Sequence, residues 1–295
     1  MVEQSIRREN GTPLVGLALG AGGTKGWAHV GVIKVLHEAG VRIDLVVGAS
    51  AGALIGPLYA AARDTKAMER VAFSFSTREF TEWFLRGLRI APDAGPMASR
   101  LWAAYGSRDF RELAVPFAAV AHDLETGERL TVREGLVATA VEASIRPPFF
   151  GSPTRWNGHA LVDGGFQLAV PTDVALDMGA TFVIGVNIGA LIKLPRPLRP
   201  HSRRFAAALR QRRAAPDGLR GQLAFMTDLM SRERPRAVRP HVEIRPDMRG
   251  VSAFAPWQID LAYRRGVAAA REALPTVKRV LEQMTACWPA RPGLD

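Results

Sequence analysis

Within its first 62 residues the chain alternates twice between a short apolar run and a helical pattern, and that alternation narrows the folds open to it. Leu14-Val15-Gly16-Leu17-Ala18-Leu19 is an apolar run suited to a central strand. A glycine-rich loop, Gly20 to Gly26, follows. From Trp27 to Ala39 the residues Val30, Ile33 and Leu36 recur at helical spacing, and Gly40 stands where a helix C-cap belongs. Ile43-Asp44-Leu45-Val46-Val47 reads as a second buried strand. Ala51 to Ala62 reads as a second helix, with Pro57 as a local defect. Strands joined through helices run parallel, with helices covering both faces of the sheet. The expected fold class is α/β, a three-layer sandwich with a mostly parallel central sheet.

The join between the second strand and its helix is Gly48-Ala49-Ser50-Ala51-Gly52, a G-x-S-x-G pentapeptide. A serine at so sharp a strand-to-helix turn has its hydroxyl pushed out of the fold, where it can act as a nucleophile. Gly48, Ala51 and Gly52 keep the flanks small, because larger side chains would collide across the turn. The following helix brings backbone N–H groups and a positive dipole end. The pentapeptide alone can arise by chance; the strand before it and the helix after it give it weight.

The loop Gly20-Ala21-Gly22-Gly23-Thr24-Lys25-Gly26 is not a P-loop, and Lys25 breaks a G-x-G-x-x-G reading. It is either a plain tight turn or a nest of N–H groups aimed at one point. Beside a nucleophile elbow, that point would be the oxyanion of a tetrahedral intermediate. A base is also required. Of the six histidines, His29, His37, His122, His159, His201 and His241, only the last two come late enough for an ordinary Ser…acid…His order. Both lie in a basic, proline-rich segment without strand-end context. Asp163, between Ala160-Leu161-Val162 and Gly164-Gly165, is the better partner, since a carboxylate bonded to a serine hydroxyl can take its proton directly.

These segments in this order resemble the patatin-like phospholipase family: Leu19 to Gly26, Gly48 to Gly52 and Asp163-Gly164-Gly165. Ala121 to Glu128 and Ala143-Ser144-Ile145-Arg146-Pro147 resemble further family segments. The resemblance runs over residues 14–190, with a weaker echo at 254–275. It implies a Ser-Asp dyad, with Ser50 as nucleophile and Asp163 as base. It also implies an oxyanion hole from Gly22 and Gly23 with the neighbouring N–H groups of Thr24 and Lys25. Lys25 fills the family's basic position in that loop. Ala21 stands where the family's run of three glycines begins.

Four regions are expected: an extension at 1–13, a catalytic core at 14–190, a basic insertion or lid at 191–250 and a C-terminal helical segment at 251–295. Strands are expected at 116–121, 129–132 and 181–188. Helices are expected at 136–144 and at 257–286, the latter interrupted by Pro275. The aromatic stretch from Phe73 to Phe110 reads as core or as a cap near the site.

The formal net charge is +11, and between Lys193 and Arg239 thirteen Lys/Arg face three acids, which is either a solvated basic face or a patch for anionic membrane. No zinc-finger spacing, RNA-binding aromatic signature or basic-zipper heptad accompanies it, which speaks against nucleic acid. A single cysteine, Cys287, excludes an internal disulfide. The polar N-terminus lacks the apolar core of a signal peptide, and the apolar stretch near 174–194 is too interrupted to span a bilayer. The expectation is a cytoplasmic protein with peripheral membrane contact. The expected activity is cofactor-free and metal-free hydrolysis of lipid acyl esters, of phospholipase A or lysophospholipase type. The alternatives are a thioesterase or small-ester carboxylesterase, and a non-catalytic lipid-binding regulator that docks on membranes.

Overall fold

The computed structural model describes residues 12–74, 102–124, 126–146, 153–166, 170–189 and 238–286. The strands are β1 (Val15–Leu19), β2 (Leu45–Ala49), β3 (Phe117–Asp123), β4 (Arg129–Val132), β5 (Thr154–Trp156), β6 (His159–Asp163), β7 (Phe182–Val186) and β8 (Val242–Ile244). They form one sheet in the order β5-β6-β3-β2-β1-β7-β8, with β4 paired to β3. The run β3-β2-β1-β7-β8 is parallel, and β4, β5 and β6 are antiparallel additions. The expected mixed α/β fold with a mostly parallel central sheet is the one observed.

Successive residues of each strand point to opposite faces, and the two faces bury different cores. On one side Leu17, Leu19, Val46, Phe117, Phe182 and Ile184 pack with α1 (Trp27–Glu38), α2 (Ala51–Ala60), α3 (Thr65–Ser74), α4 (Val137–Ile145) and α6 (Ile259–Ala286). On the other, Ala18, Val47, Ala49, Val120 and Val183 pack with Val174 and Ala175 of the short α5 (Thr172–Asp177). The C-terminal helix α6 lies tightly on α1. A Cβ at Gly31 would strike the Tyr263 carbonyl, and one at Gly266 the Ala28 carbonyl, so glycine at the crossing lets the two backbones approach.

Several sequence expectations need correcting. The second strand starts at Leu45, two residues later than Ile43, because Ile43 and Asp44 lead into the sheet and Asp44 Oδ2 accepts the N–H of Val15 at 2.9 Å. Neither Pro57 nor Pro275 ends its helix. Proline removes one helical hydrogen bond, and packing on the sheet retains the rest of α2. Within 191–250, the region expected as an insertion or lid, residues 242–244 form β8, which pairs in parallel with β7 at the sheet edge. Residues 190–237, the bulk of the basic segment, lie outside the described residues, as do 75–101 of the aromatic stretch. Of that stretch, Phe110 is core, stacked on Phe117 with ring centroids 5.8 Å apart, whereas Phe73 and Trp102 are exposed. Among the described residues no helix is long and apolar enough to cross a membrane.

Candidate active site

Ser50 sits between the end of β2 and the first turn of α2 with φ 52° and ψ −115°. A non-glycine residue in that region is strained and is held there only by its surroundings. Those surroundings require small residues. A Cβ at Gly48 would run into the backbone of Gly52 and Ala53, and one at Gly52 into the carbonyl of Leu19 in β1. A Cβ at Gly26 would press on Ala51. The glycines of the elbow therefore serve close backbone approach.

The carboxylate arrives through sheet register. Along one edge of β3, β4 pairs with residues 119–122. On the opposite edge β2 pairs with β3 as far as Ala49↔Val120, and β6 continues from Ala121↔Asp163. Two strands thus meet end to end against β3, with Ser50 leaving the end of one and Asp163 closing the end of the other. The Ser50 hydroxyl donates to Asp163 Oδ2 at 2.7 Å. The other carboxylate oxygen, Oδ1, accepts the N–H of Gly165 at 2.7 Å, which fixes the plane of the group. Both residues are buried. Burial pushes the Asp163 carboxyl up to about 7, against the opposing effect of the hydrogen bonds from Ser50 and Gly165.

The glycine loop packs beside this pair. A Cβ at Gly165 would collide with that of Ala21 and come within 3.4 Å of Ser50 Cβ, so the glycine loop, the 163–165 turn and Ser50 pack against one another. Gly23 adopts φ 59°, which favours glycine. The N–H of Thr24 donates to Ala253 O at 2.9 Å, and its hydroxyl to Ser252 O at 2.9 Å. The N–H of Lys25 donates to Gly22 O at 3.3 Å. Of the four residues expected to donate to an oxyanion, Thr24 and Lys25 therefore use their N–H groups to hold the loop. Among the described residues no acceptor takes the N–H of Gly22 or Gly23. Beneath the loop, His29 Nε2 donates to Gly20 O at 2.8 Å. Burial lowers its pKa to about 4, so the ring is neutral.

The other described histidines serve elsewhere. His37 contacts Tyr59, His159 pairs with Asp123, and His241 accepts the N–H of Val183. His122 is a buried residue of β3, and His201 lies outside the described residues. Sequence reasoning missed the supports: the Ser144 hydroxyl under Ser50, the Ser252–Ala253 carbonyls under Thr24, and the orienting N–H of Gly165. In the sequence, the segment 143–147 resembles the family but carries no role, because nothing local to it says what it faces. Among the described residues no group of three or more His, Cys, Asp or Glu is arranged to hold a metal ion.

A family model described as Patatin-like phospholipase matches residues 17–176, more than half of the chain. The neuropathy target esterase sws of Drosophila melanogaster is 29% identical over 184 residues, covering 60% of this chain and 13% of that protein. Patatin-like phospholipase domain-containing protein 6 of Homo sapiens is 31% identical over 188 residues, covering 60% of this chain and 13% of that protein. An uncharacterized NTE family protein of Mycobacterium tuberculosis is 32% identical over 190 residues, covering 61% of this chain and 51% of that protein. The chain thus spans about half the length of the mycobacterial relative and a small part of the animal ones. Among solved structures, VipD from Legionella pneumophila aligns with 90% of this chain and 67% of that one, with a TM-score of 0.46 and 14% identity.

Proposed function

Because the chain belongs to the patatin-like phospholipase family, we propose that it is a serine hydrolase of lipid acyl esters, of phospholipase A or lysophospholipase type, working through a Ser50–Asp163 dyad. The observation that carries this reading is the 2.7 Å hydrogen bond from a strained, elbow-borne serine to a buried carboxylate. The carboxylate's pKa near 7 suits it to accept a proton and return it at neutral pH.

As Ser50 Oγ attacks the ester carbonyl carbon, its proton passes along the existing hydrogen bond to Asp163 Oδ2. The carbonyl oxygen becomes an oxyanion. The Ser50 N–H is taken by Ser144 Oγ at 3.0 Å and is not a donor to it. The N–H groups of Gly22 and Gly23 are the donors this reading assigns, held in place by Thr24 and His29. Protonated Asp163 then gives its proton to the departing alcohol oxygen as the carbon–oxygen bond breaks, leaving Ser50 acylated. Water attacks the acyl-enzyme while Asp163 accepts its proton, the carboxylic acid departs and Ser50 regains its hydrogen. Gly165 keeps Oδ1 occupied throughout, so Oδ2 remains the oxygen that faces the serine.

The test is hydrolysis of a chromogenic acyl ester and of phosphatidylcholine vesicles by wild type, Ser50→Ala and Asp163→Asn, with folding followed by circular dichroism. Activity lost in both folded variants is the expected result. Equal turnover by wild type and Ser50→Ala would overturn the reading. Cleavage of thioesters or short esters without phospholipid would leave the dyad and move the substrate class.

A further inference from the structure

Helix α4 ends in Ala143-Ser144-Ile145, capped by Arg146, and that end touches both members of the dyad through their backbones. Ser144 is fully buried. Its Oγ accepts the N–H of Ser50 at 3.0 Å and donates to the carbonyl of Val120 at 2.6 Å. A serine hydroxyl has one hydrogen to give, and this one is committed, so its orientation is set. Two residues on, the carbonyl of Arg146 accepts the N–H of Asp163 at 2.7 Å. Val120 is the β3 residue at which β2 pairing ends, just before β6 pairing begins at Ala121. The three bonds converge where the two strands meet.

We propose that Ser144 is a positioning residue, and that the end of α4 is a clamp holding the nucleophile and the base in register. This rests on the dyad reading given above. Ser50 keeps a left-handed backbone conformation that its own residue type disfavours, so something must hold it. Its Cβ lies against Gly165 and the next residue, Ala51, against Gly26, but its N–H is taken by Ser144 alone among the described residues. Without that acceptor a buried N–H loses its partner, and the elbow is free to relax toward an ordinary φ. The hydroxyl then swings away from Asp163, which Arg146 still holds through the separate bond to its carbonyl. Fully buried beneath the elbow, Ser144 acts through Ser50.

The experiment compares wild type, Ser144→Ala, Ser144→Cys and Val277→Ala. Val277 is a fully buried residue of α6, and its truncation supplies a loss of stability remote from the site. For each, kcat and KM on an acyl ester, the rate of Ser50 capture by a fluorophosphonate, and the melting temperature are measured. Ser144→Ala is expected to lose on the order of 10²-fold in both kcat and capture rate, at a KM within about twofold of wild type. Ser144→Cys, with a weaker donor and acceptor, is expected to fall between. Val277→Ala is expected to melt lower at unchanged kcat. The clamp is overturned if Ser144→Ala, or Ser144→Cys where the alanine variant does not fold, is captured at the wild-type rate. It is also overturned if Val277→Ala loses kcat in proportion to its stability. Failure of the dyad itself looks different: wild type would not be captured at Ser50, whatever residue 144 is.

Discussion

The two halves of the site are built in opposite ways. The elbow is made from one continuous stretch, 45–60, in which strand, turn and helix follow directly and the strain sits on Ser50 itself. The 163–165 turn contains no residue with positive φ. Asp163 is placed by pairing with β3, by the Arg146 carbonyl and by the Gly165 N–H, and it lies 113 residues from the serine it bonds. Local sterics thus set Ser50, and long-range register sets Asp163. Such a division makes the Asp163 side the more dependent on its neighbours.

The largest expected effect treats the halves as one machine. Ser50→Ala and Asp163→Asn should each lower kcat by on the order of 10⁴-fold. The double variant should be little worse than either single one, because the two residues act together. Multiplicative losses in steady-state kinetics would mean that they act separately.

The next test separates the halves by what stands in the way of a methyl group. Gly52→Ala would drive a Cβ into the Leu19 carbonyl, a backbone obstacle that cannot step aside, and should cost about 3 kcal/mol or more in denaturant unfolding. Gly165→Ala would drive its Cβ into that of Ala21, a side chain that can be removed. Adding Ala21→Gly should therefore restore much of the stability and activity lost in Gly165→Ala. No rescue would show that the base turn is as rigidly specified as the elbow.

The pH dependence probes the base alone. With its carboxyl near 7, Asp163 is protonated and unable to act as base in acid, so kcat/KM should rise through an acid limb with apparent pKa about 7 and fall about 100-fold by pH 5. The same shift works on stability in the opposite direction. Its folded pKa exceeds the ordinary carboxylate value, so its stabilising contribution is complete below pH 4 and is lost as pH rises through 7. Asp163→Asn should melt above wild type at pH 8 while being inactive. A melting temperature that does not rise would mean that the carboxylate is not penalised by burial.

A smaller effect belongs to the loop that serves both halves. His29 has a folded pKa of about 4, below its ordinary 6.5, so the stability it confers is present above 6.5 and lost as pH falls toward 4. Wild type should lose about 2 kcal/mol from this source by pH 5. His29→Gln should flatten that slope in thermal melts and weaken turnover modestly, since Gln can still donate toward Gly20 O. An unchanged slope would place the acid sensitivity elsewhere.

Much of the site was legible because its signals act over a few residues. Alternation of apolar runs and helical spacing forecast β1, α1, β2 and α2, since hydrophobic periodicity is a local property that burial then enforces. The pentapeptide Gly48 to Gly52 foretold the elbow, because only small residues fit a strand-to-helix reversal so tight. Other features left no local trace. The three-residue strand β8 carries too little pattern to announce itself after a long basic segment, and it exists because the edge of β7 needs a partner. Thr24 and Lys25 looked like oxyanion donors until the chain near Ala253, more than 200 residues on, took up the Thr24 N–H and the loop closed on itself through Lys25. The sequence alone determined that a serine would stand in a tight turn between a buried parallel strand and a helix. Only the tertiary structure decided that Asp163 Oδ2 would stand 2.7 Å from its hydroxyl and that Ser144 Oγ would accept its N–H. The bonds that bring these residues together are inter-strand and helix-end contacts whose register depends on the whole sheet.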